Sequence, residues 1–155
     1  MVVKLIPQHT TIQMIKVFKI EDPADLKAAY AIRGKVFVDE QKVPASAEYD
    51  EHEATAHHYL AFHAGVPCGA ARWRNTLNGV KLERFAVLPE YRNKAVGSEI
   101  LKRVLTDVKA EYPNQIVYLH AQVPAVAFYT RHGFESEGDM FSECDINHYK
   151  MVFRA

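Results

Sequence analysis

Leu82-Glu83-Arg84-Phe85-Ala86-Val87-Leu88-Pro89-Glu90-Tyr91-Arg92-Asn93-Lys94-Ala95-Val96-Gly97-Ser98 is the stretch from which the rest of the chain can be read. An apolar strand runs into a short polar loop, and the loop runs into a helix that begins near Gly97. In such a loop successive backbone N–H groups point into one concavity, and the helix N-terminus adds partial positive charge. That is a place for an anion, a pyrophosphate above all. Arg92 and Lys94 add formal charge, and Gly97 lets the backbone approach closely. A strand-to-helix loop also carries Arg and Gly merely to make its turn, so the segment alone leaves both readings open.

Downstream, Ile100, Leu101, Val104, Leu105 and Val108 share one helical face, which predicts a helix over 97–112 ended by Pro113-Asn114. Residues 116–120 form a short, continuously apolar strand of the buried type. Pro124 opens a second short helix that runs to Arg131, and Gly133 suits a left-handed cap. The last strands are 134–137 and 147–154, with 138–146 as the loop between them.

Upstream, Asn78-Gly79 marks a hairpin turn, so 80–87 is a strand. Residues 58–63 and 68–74 are two more, joined at Ala64-Gly65-Val66-Pro67. Residues 45–56 are acidic and irregular, with room for one helical turn. Before them, Asp22 as N-cap and Pro23 at the first helical position start a helix carried by Leu26, Ala29, Tyr30, Arg33 and Phe37 to about Val38. A strand over 15–20 precedes it. This order describes a mixed α/β (α+β) layer with a curved, mostly antiparallel central sheet flanked by helices. No repeat or linker divides it, so 14–155 is expected to be one domain. Residues 1–13 are either a loose arm or an added strand built on Val2, Val3, Leu5 and Ile6.

A chain of 155 residues fits one domain. A domain of that size buries roughly 70% of its unfolded surface, enough for a core without staples. Lys plus Arg and Asp plus Glu number 19 each. That balance argues against nucleic-acid binding, whose affinity comes largely from phosphate neutralisation. Cys68 and Cys144 make no disulfide framework and read as two buried thiols of a reducing cytoplasm. His52, His57 and His58 stand near Asp50 and Glu53 without a ligand spacing, so no metal is expected. No apolar run approaches the ~20 residues of a membrane span, and residues 1–13 lack the features of a signal peptide. A cytoplasmic protein with no membrane or nucleic-acid partner is the expectation.

The run Arg92, Asn93, Lys94, Ala95, Val96, Gly97 resembles the coenzyme A pyrophosphate loop of the GNAT acetyltransferase superfamily, which reads Arg or Gln, two residues, Gly, one residue, Gly or Ala. Ala95 stands where Gly is usual, and a left-handed conformation there costs about 1 kcal/mol. The lead-in over 86–92 is similar too. So is a second constellation, His120-Ala121-Gln122, Ala125, Phe128-Tyr129 and Gly133-Phe134, with Gln122 at a position that is commonly Asn. A third set, Arg33, Val36-Phe37-Val38, Glu40-Gln41, Val43-Pro44, Glu48, Asp50 and His57, looks like the ElaA/YjcF-type branch. The ending Phe141, Glu143, Asp145-Ile146, His148 and Met151 does as well.

That resemblance implies a GNAT-like fold and an N-acetyltransferase acting by direct transfer in a ternary complex, with acetyl-CoA as co-substrate. Phe85, Ala86 and Val87 would hold the pantetheine arm, and Arg92, Asn93, Lys94, Ala95, Val96, Gly97 and Ser98 the pyrophosphate, with Gln122 and Phe128 also on the coenzyme. Tyr129 would protonate the departing thiolate, a role that suits a phenol. The acceptor amine must lose a proton before it attacks, because an alkylammonium has a pKa near ~10.4. Glu83 is the first candidate for the base and His120 the second, with His148 beside it. Glu40, Glu48, Glu143 and His148 are candidates to contact the acceptor, a small-molecule amine or a protein lysine. A monomer and a homodimer are both compatible with the sequence. Two other readings share the fold: a catalytically silent acyl-CoA-binding module and a synthase like those that make acyl-homoserine lactones.

Overall fold

A computed structural model describes residues 14–154. Seven strands form one sheet in the order β1-β2-β3-β4-β5-β7-β6. They are β1 (Ile15–Lys19), β2 (His57–His63), β3 (Val66–Thr76), β4 (Gly79–Val87), β5 (Val117–Gln122), β6 (Phe134–Glu143) and β7 (Ile146–Phe153). Every pairing is antiparallel except β4 with β5. The mixed, mostly antiparallel sheet predicted from the sequence is what the chain builds. Residues 1–13, predicted as an arm or an added strand, lie outside the described residues. No helix among the described residues is long and apolar enough to cross a membrane.

Alternation along the strands sorts the core into two layers. On one face, α1 (Pro23–Arg33) lays Ala29 and Ile32 against Leu60, Ala70 and Ala86. Its start is as the sequence implies, with Asp22 Oδ1 accepting from Ala24 N at 2.8 Å and Pro23 next to it. On the other face, α3 (Val96–Glu111) packs Val96, Ile100, Leu101, Val104 and Val108 against Tyr59, Ala61, Ala71, Trp73 and Leu82. A short α4 (Val126–Arg131) joins that layer through Tyr129. Gly79 is required where it stands, because its φ is +127° and a Cβ would lie 2.3 Å from the Ile116 carbonyl oxygen. That carbonyl accepts from Val80 N at 2.8 Å and starts the parallel β4–β5 pairing.

Three expectations change. The first helix does not run on to Val38 as α-helix; beyond Arg33 the chain widens into a π-helix over Gly34–Glu40, closed by Gln41 N donating to Val36 O at 3.1 Å. The irregular acidic segment does contain one turn, α2 (Ala45–Glu48). The loop predicted over 138–146 is instead mostly strand, because a bulge between Glu137 and Phe141 absorbs Gly138 and lets β6 continue. The β6–β7 turn is made by Cys144 and Asp145, both at positive φ, which leaves Cys144 exposed rather than buried. Cys68 is buried as expected.

Candidate active site

The β4–β5 pairing covers Val80↔Val117, Lys81↔Tyr118 and Leu82↔Leu119, and then stops. Beyond that point both strands go on, β4 to Val87 and β5 to Gln122, so the sheet splits between them. Leu82 and Leu119 belong to the α3 layer. By alternation Glu83 and His120, the first residues past the last pair, face the opposite side. A bulge in the β3–β4 register lies between Ala70 and Arg72, and Arg84 across from it has φ +60°. The resulting cleft has a volume of about 710 Å³.

Arg92 to Ser98 leads from the end of β4 into α3. Asn93 and Ala95 both adopt positive φ, +61° and +68°. The position where glycine is usual is therefore left-handed, and Ala95 carries the strain expected of it. Replacing it should help: Ala95→Gly is expected to raise stability by about 0.5–1 kcal/mol, since the relief exceeds the added freedom of the unfolded chain. Urea unfolding checks this, and an unchanged or lower midpoint would contradict it. The first hydrogen bond from α3 back into the loop runs from Glu99 N to Ala95 O at 3.0 Å, so the amides before it end the helix as free donors do. Nothing in the protein's own packing demands Gly97: an added Cβ would meet Phe128 and Val87 only at ordinary contact, 3.5 Å and beyond. The Ser98 hydroxyl is 3.1 Å from His132 Nε2.

Arg92 reaches back across the cleft rather than outward. Its Nε donates to Val87 O at 3.0 Å, and its two terminal nitrogens donate to Glu40 at 2.9 Å each. Gln122 Nε2 donates to Gln41 Oε1 at 2.8 Å. The end of the π-helix thus touches both the loop and β5. Tyr129 lines the cleft with its ring edge-on to Phe85, Phe128 and Phe134, at centroid distances of 6.2, 5.1 and 5.7 Å. Its hydroxyl makes no hydrogen bond among the described residues, and burial pushes its pKa above the ordinary phenol range.

Glu83 is not a free carboxylate. Its Oε1 accepts from Arg72 Nη2 at 3.0 Å and Arg74 Nε at 2.6 Å, and its Oε2 lies 3.6 Å from Lys81 Nζ. Burial alone would raise its pKa, but Arg72, Lys81 and Arg74 outweigh burial and hold it below the usual carboxylate range. A carboxylate so held is a weak proton acceptor, which counts against its place as first candidate for the base. His120 Nδ1 lies 2.9 Å from Glu143 Oε1, and its ring meets Phe141 edge-on at 4.9 Å. The bond to His120 holds the Glu143 carboxyl below its usual range. His148, opposite Gln122 on β7, stacks on Phe141 and keeps Nδ1 against Ile146 O at 2.7 Å.

The carboxylates expected to meet a cationic acceptor line the cleft, yet each already has a partner. Glu40 is held by Arg92, Glu143 by His120, and buried Glu48 by Arg33 at 2.8 Å and Arg84 at 3.3 Å. Asp50 takes two hydrogen bonds from Arg72, which hold it well below the usual carboxylate range. Glu53 bridges Arg33 and Arg72 behind it. This network escaped the sequence reading. Its signal was there: Arg72 and Arg74 on β3, and Lys81 and Glu83 on β4, stand two apart within apolar strands and so share one face.

The comparisons agree with this fold. A family model of the acetyltransferase (GNAT) domain matches residues 19–155. The uncharacterized N-acetyltransferase YjcF of Bacillus subtilis is 40% identical over 129 residues, which cover 82% of this chain and 91% of that protein. The crystal structure of an acyl-CoA N-acyltransferase from Pseudomonas aeruginosa superposes with a TM-score of 0.79 at 26% identity, covering 90% of this chain and 98% of the other. Escherichia coli ElaA has the same fold, with a TM-score of 0.79 at 24% identity over 90% of this chain and 98% of its own. The chain belongs to the acetyltransferase (GNAT) domain family and, within it, to the ElaA/YjcF-type branch.

Proposed function

We propose that the protein transfers an acetyl group from acetyl-coenzyme A to an amine by direct attack in a ternary complex. The observation that carries this reading is the Tyr129 hydroxyl, without a partner among the described residues, in the cleft where β4 and β5 part, with the Arg92–Ser98 loop at the end of β4. The name of the Pseudomonas relative, an acyl-CoA N-acyltransferase, supports it. The coenzyme pyrophosphate rests on the loop amides ahead of α3, in the space that Gly97 leaves open. The pantetheine arm enters between β4 and β5 along Phe85, Ala86 and Val87. A backbone N–H near Ala86 or Val87 polarises the thioester carbonyl. Contact of Arg92 and Gln122 with the coenzyme exchanges their present bonds to Glu40 and Gln41.

The acceptor ammonium first gives up a proton to solvent, and its lone pair then attacks the thioester carbon. A C–N bond forms, the C–S bond breaks, and the electron pair leaves on sulfur. His120, held by Glu143, takes the remaining surplus proton from nitrogen, and Tyr129 gives one to the thiolate. The products are an amide, coenzyme A thiol and one proton, with Tyr129 reprotonated from solvent. His120 rather than Glu83 serves as base, because Glu83 is held by three cations.

Free thiol released from acetyl-CoA, measured over a panel of amines with calorimetry of coenzyme binding beside it, tests the reading. Amine-dependent release is expected. Binding without release across the panel would make the protein a coenzyme-binding module, and a need for S-adenosylmethionine would make it a lactone synthase. No heat on mixing with coenzyme A would end all three.

A further inference from the structure

On the acceptor side of the cleft the acidic groups are engaged, while two of the basic groups keep donors that nothing among the described residues takes up. Five carboxylates that line it, Glu40, Glu48, Asp50, Glu83 and Glu143, all lie within 3.0 Å of an arginine or histidine nitrogen. A sixth, Glu51, is 81% exposed and points to solvent. The cations are less fully used. Arg74 gives only its Nε to Glu83, and its two terminal nitrogens have no hydrogen-bond partner among the described residues. Lys81 Nζ is 3.6 Å from Glu83, beyond hydrogen-bond reach, and donates to nothing else described. Both side chains are partly open to the cleft, at 24% and 17% exposure.

Arg74 and Lys81 are directly opposed in the β3–β4 register. Like charges across a strand pair cost stability, and here Glu83, shared with Arg72, offsets both, with Glu143 also near enough to act on Lys81. An anion arriving between the two would take up the spare donors and relieve that repulsion. Lys81 stands two residues before Glu83 on β4, and Glu83 is level with His120, so the spare donors sit roughly 7 Å along the sheet from the base.

We propose that Arg74 and Lys81 form an anion subsite, and that the acceptor is an amine bearing its own acidic group several bonds from the reacting nitrogen. The proposal rests on the acetyltransferase reading above and narrows its substrate class. A charge-assisted pair of this kind discriminates strongly against an acceptor that lacks the acid, because the site's donors are then left unpaired.

Two matched pairs of acceptors test it: ε-aminocaproate against hexylamine, and γ-aminobutyrate against butylamine. Thiol release from acetyl-CoA should show a KM lower by about tenfold or more for the acidic member of at least one pair. Lys81→Gln and Arg74→Gln should erase that preference and leave the plain amine little changed. A preference for plain amines or diamines, or equal losses on both members of each pair, would overturn the proposal. Thermal unfolding titrated with the same compounds, with and without coenzyme A, reads the subsite without turnover. Stabilisation by an amino acid, lost in Lys81→Gln, without thiol release would uphold the subsite and count against acetyl transfer. No stabilisation by either amino acid, in a protein that does turn over hexylamine, would sink the subsite and spare the acetyltransferase reading.

Discussion

Tyr129→Phe should slow amine-dependent thiol release about 100-fold or more and leave coenzyme binding nearly unchanged, the loss expected for a positioned general acid. Phenylalanine fills the same ring site among Phe85, Phe128 and Phe134, so the packing survives. The hydroxyl bonds to no described protein group, so its removal orphans nothing and stability should hold. Burial keeps Tyr129 protonated at neutral pH, the form that can give a proton. The same burial raises the proton affinity of a thiolate formed beside it, so the transfer is better matched than free pKa values suggest. The loss should therefore fall on kcat, with KM for acetyl-CoA little moved. Full activity in Tyr129→Phe, or a loss of coenzyme affinity as large as the loss of rate, would remove Tyr129 from the chemistry.

The other large effect is on stability. Arg72→Met should destabilise the fold by about 3 kcal/mol, the low end for breaking a buried ion pair. Arg72 is fully buried, and among the described residues it alone bridges Asp50 and Glu53 of the acidic segment to Glu83 of β4. Its loss takes the shared cation from three carboxylates, leaving Asp50 to Arg84, Glu53 to Arg33, and Glu83 to Arg74 and Lys81. Asp50 and Glu53 keep some contact with water, at 20% and 14% exposure, which moderates the penalty. By contrast, Arg103→Met, whose Asp107 pair lies on the surface of α3, should cost well under ~1 kcal/mol.

The pH dependence has a definite sign. Asp50 and Glu83 have depressed pKa values in the folded protein, so their contribution is present above their ordinary pKa values and is lost as pH falls through the folded ones. Arg72→Met should therefore lose less stability than the wild type on acidification below about pH 4. Denaturant midpoints at neutral and acid pH measure both effects. Equal acid sensitivity in the two proteins would mean that Arg72 does not set those carboxylates.

Much of the fold was legible because it is local chemistry. Asp22-Pro23 marked the start of α1, Asn78-Gly79 the hairpin before β4, and the Ile100, Leu101, Val104, Leu105, Val108 stripe the buried face of α3. Where a longer-range contact competes, the local signal failed. The π-helix departs at Gly34, where a Cβ would lie 2.9 Å from the Tyr49 hydroxyl, which donates to Tyr30 O from 19 residues away. The bulge in β6 depends on pairing with β7, and no periodicity within 138–146 announces it.

The loop from Arg92 to Ser98 and the aromatic pair Phe128-Tyr129 could be named from residue order, whereas the left-handed turn at Ala95 followed only from the resemblance, since alanine itself disfavours it. Loop and pair both depend on neighbours a few positions away, and backbone geometry at that range follows from residue type. Which charges in the cleft are free could not. Glu83, Glu48 and Asp50 look like available carboxylates in one dimension. They are engaged because folding brings Arg72, Arg33 and Arg84 against them from distant strands and helices. A side chain's charge is written in its type, but its availability is set by what packs against it, and that is a property of the assembled sheet.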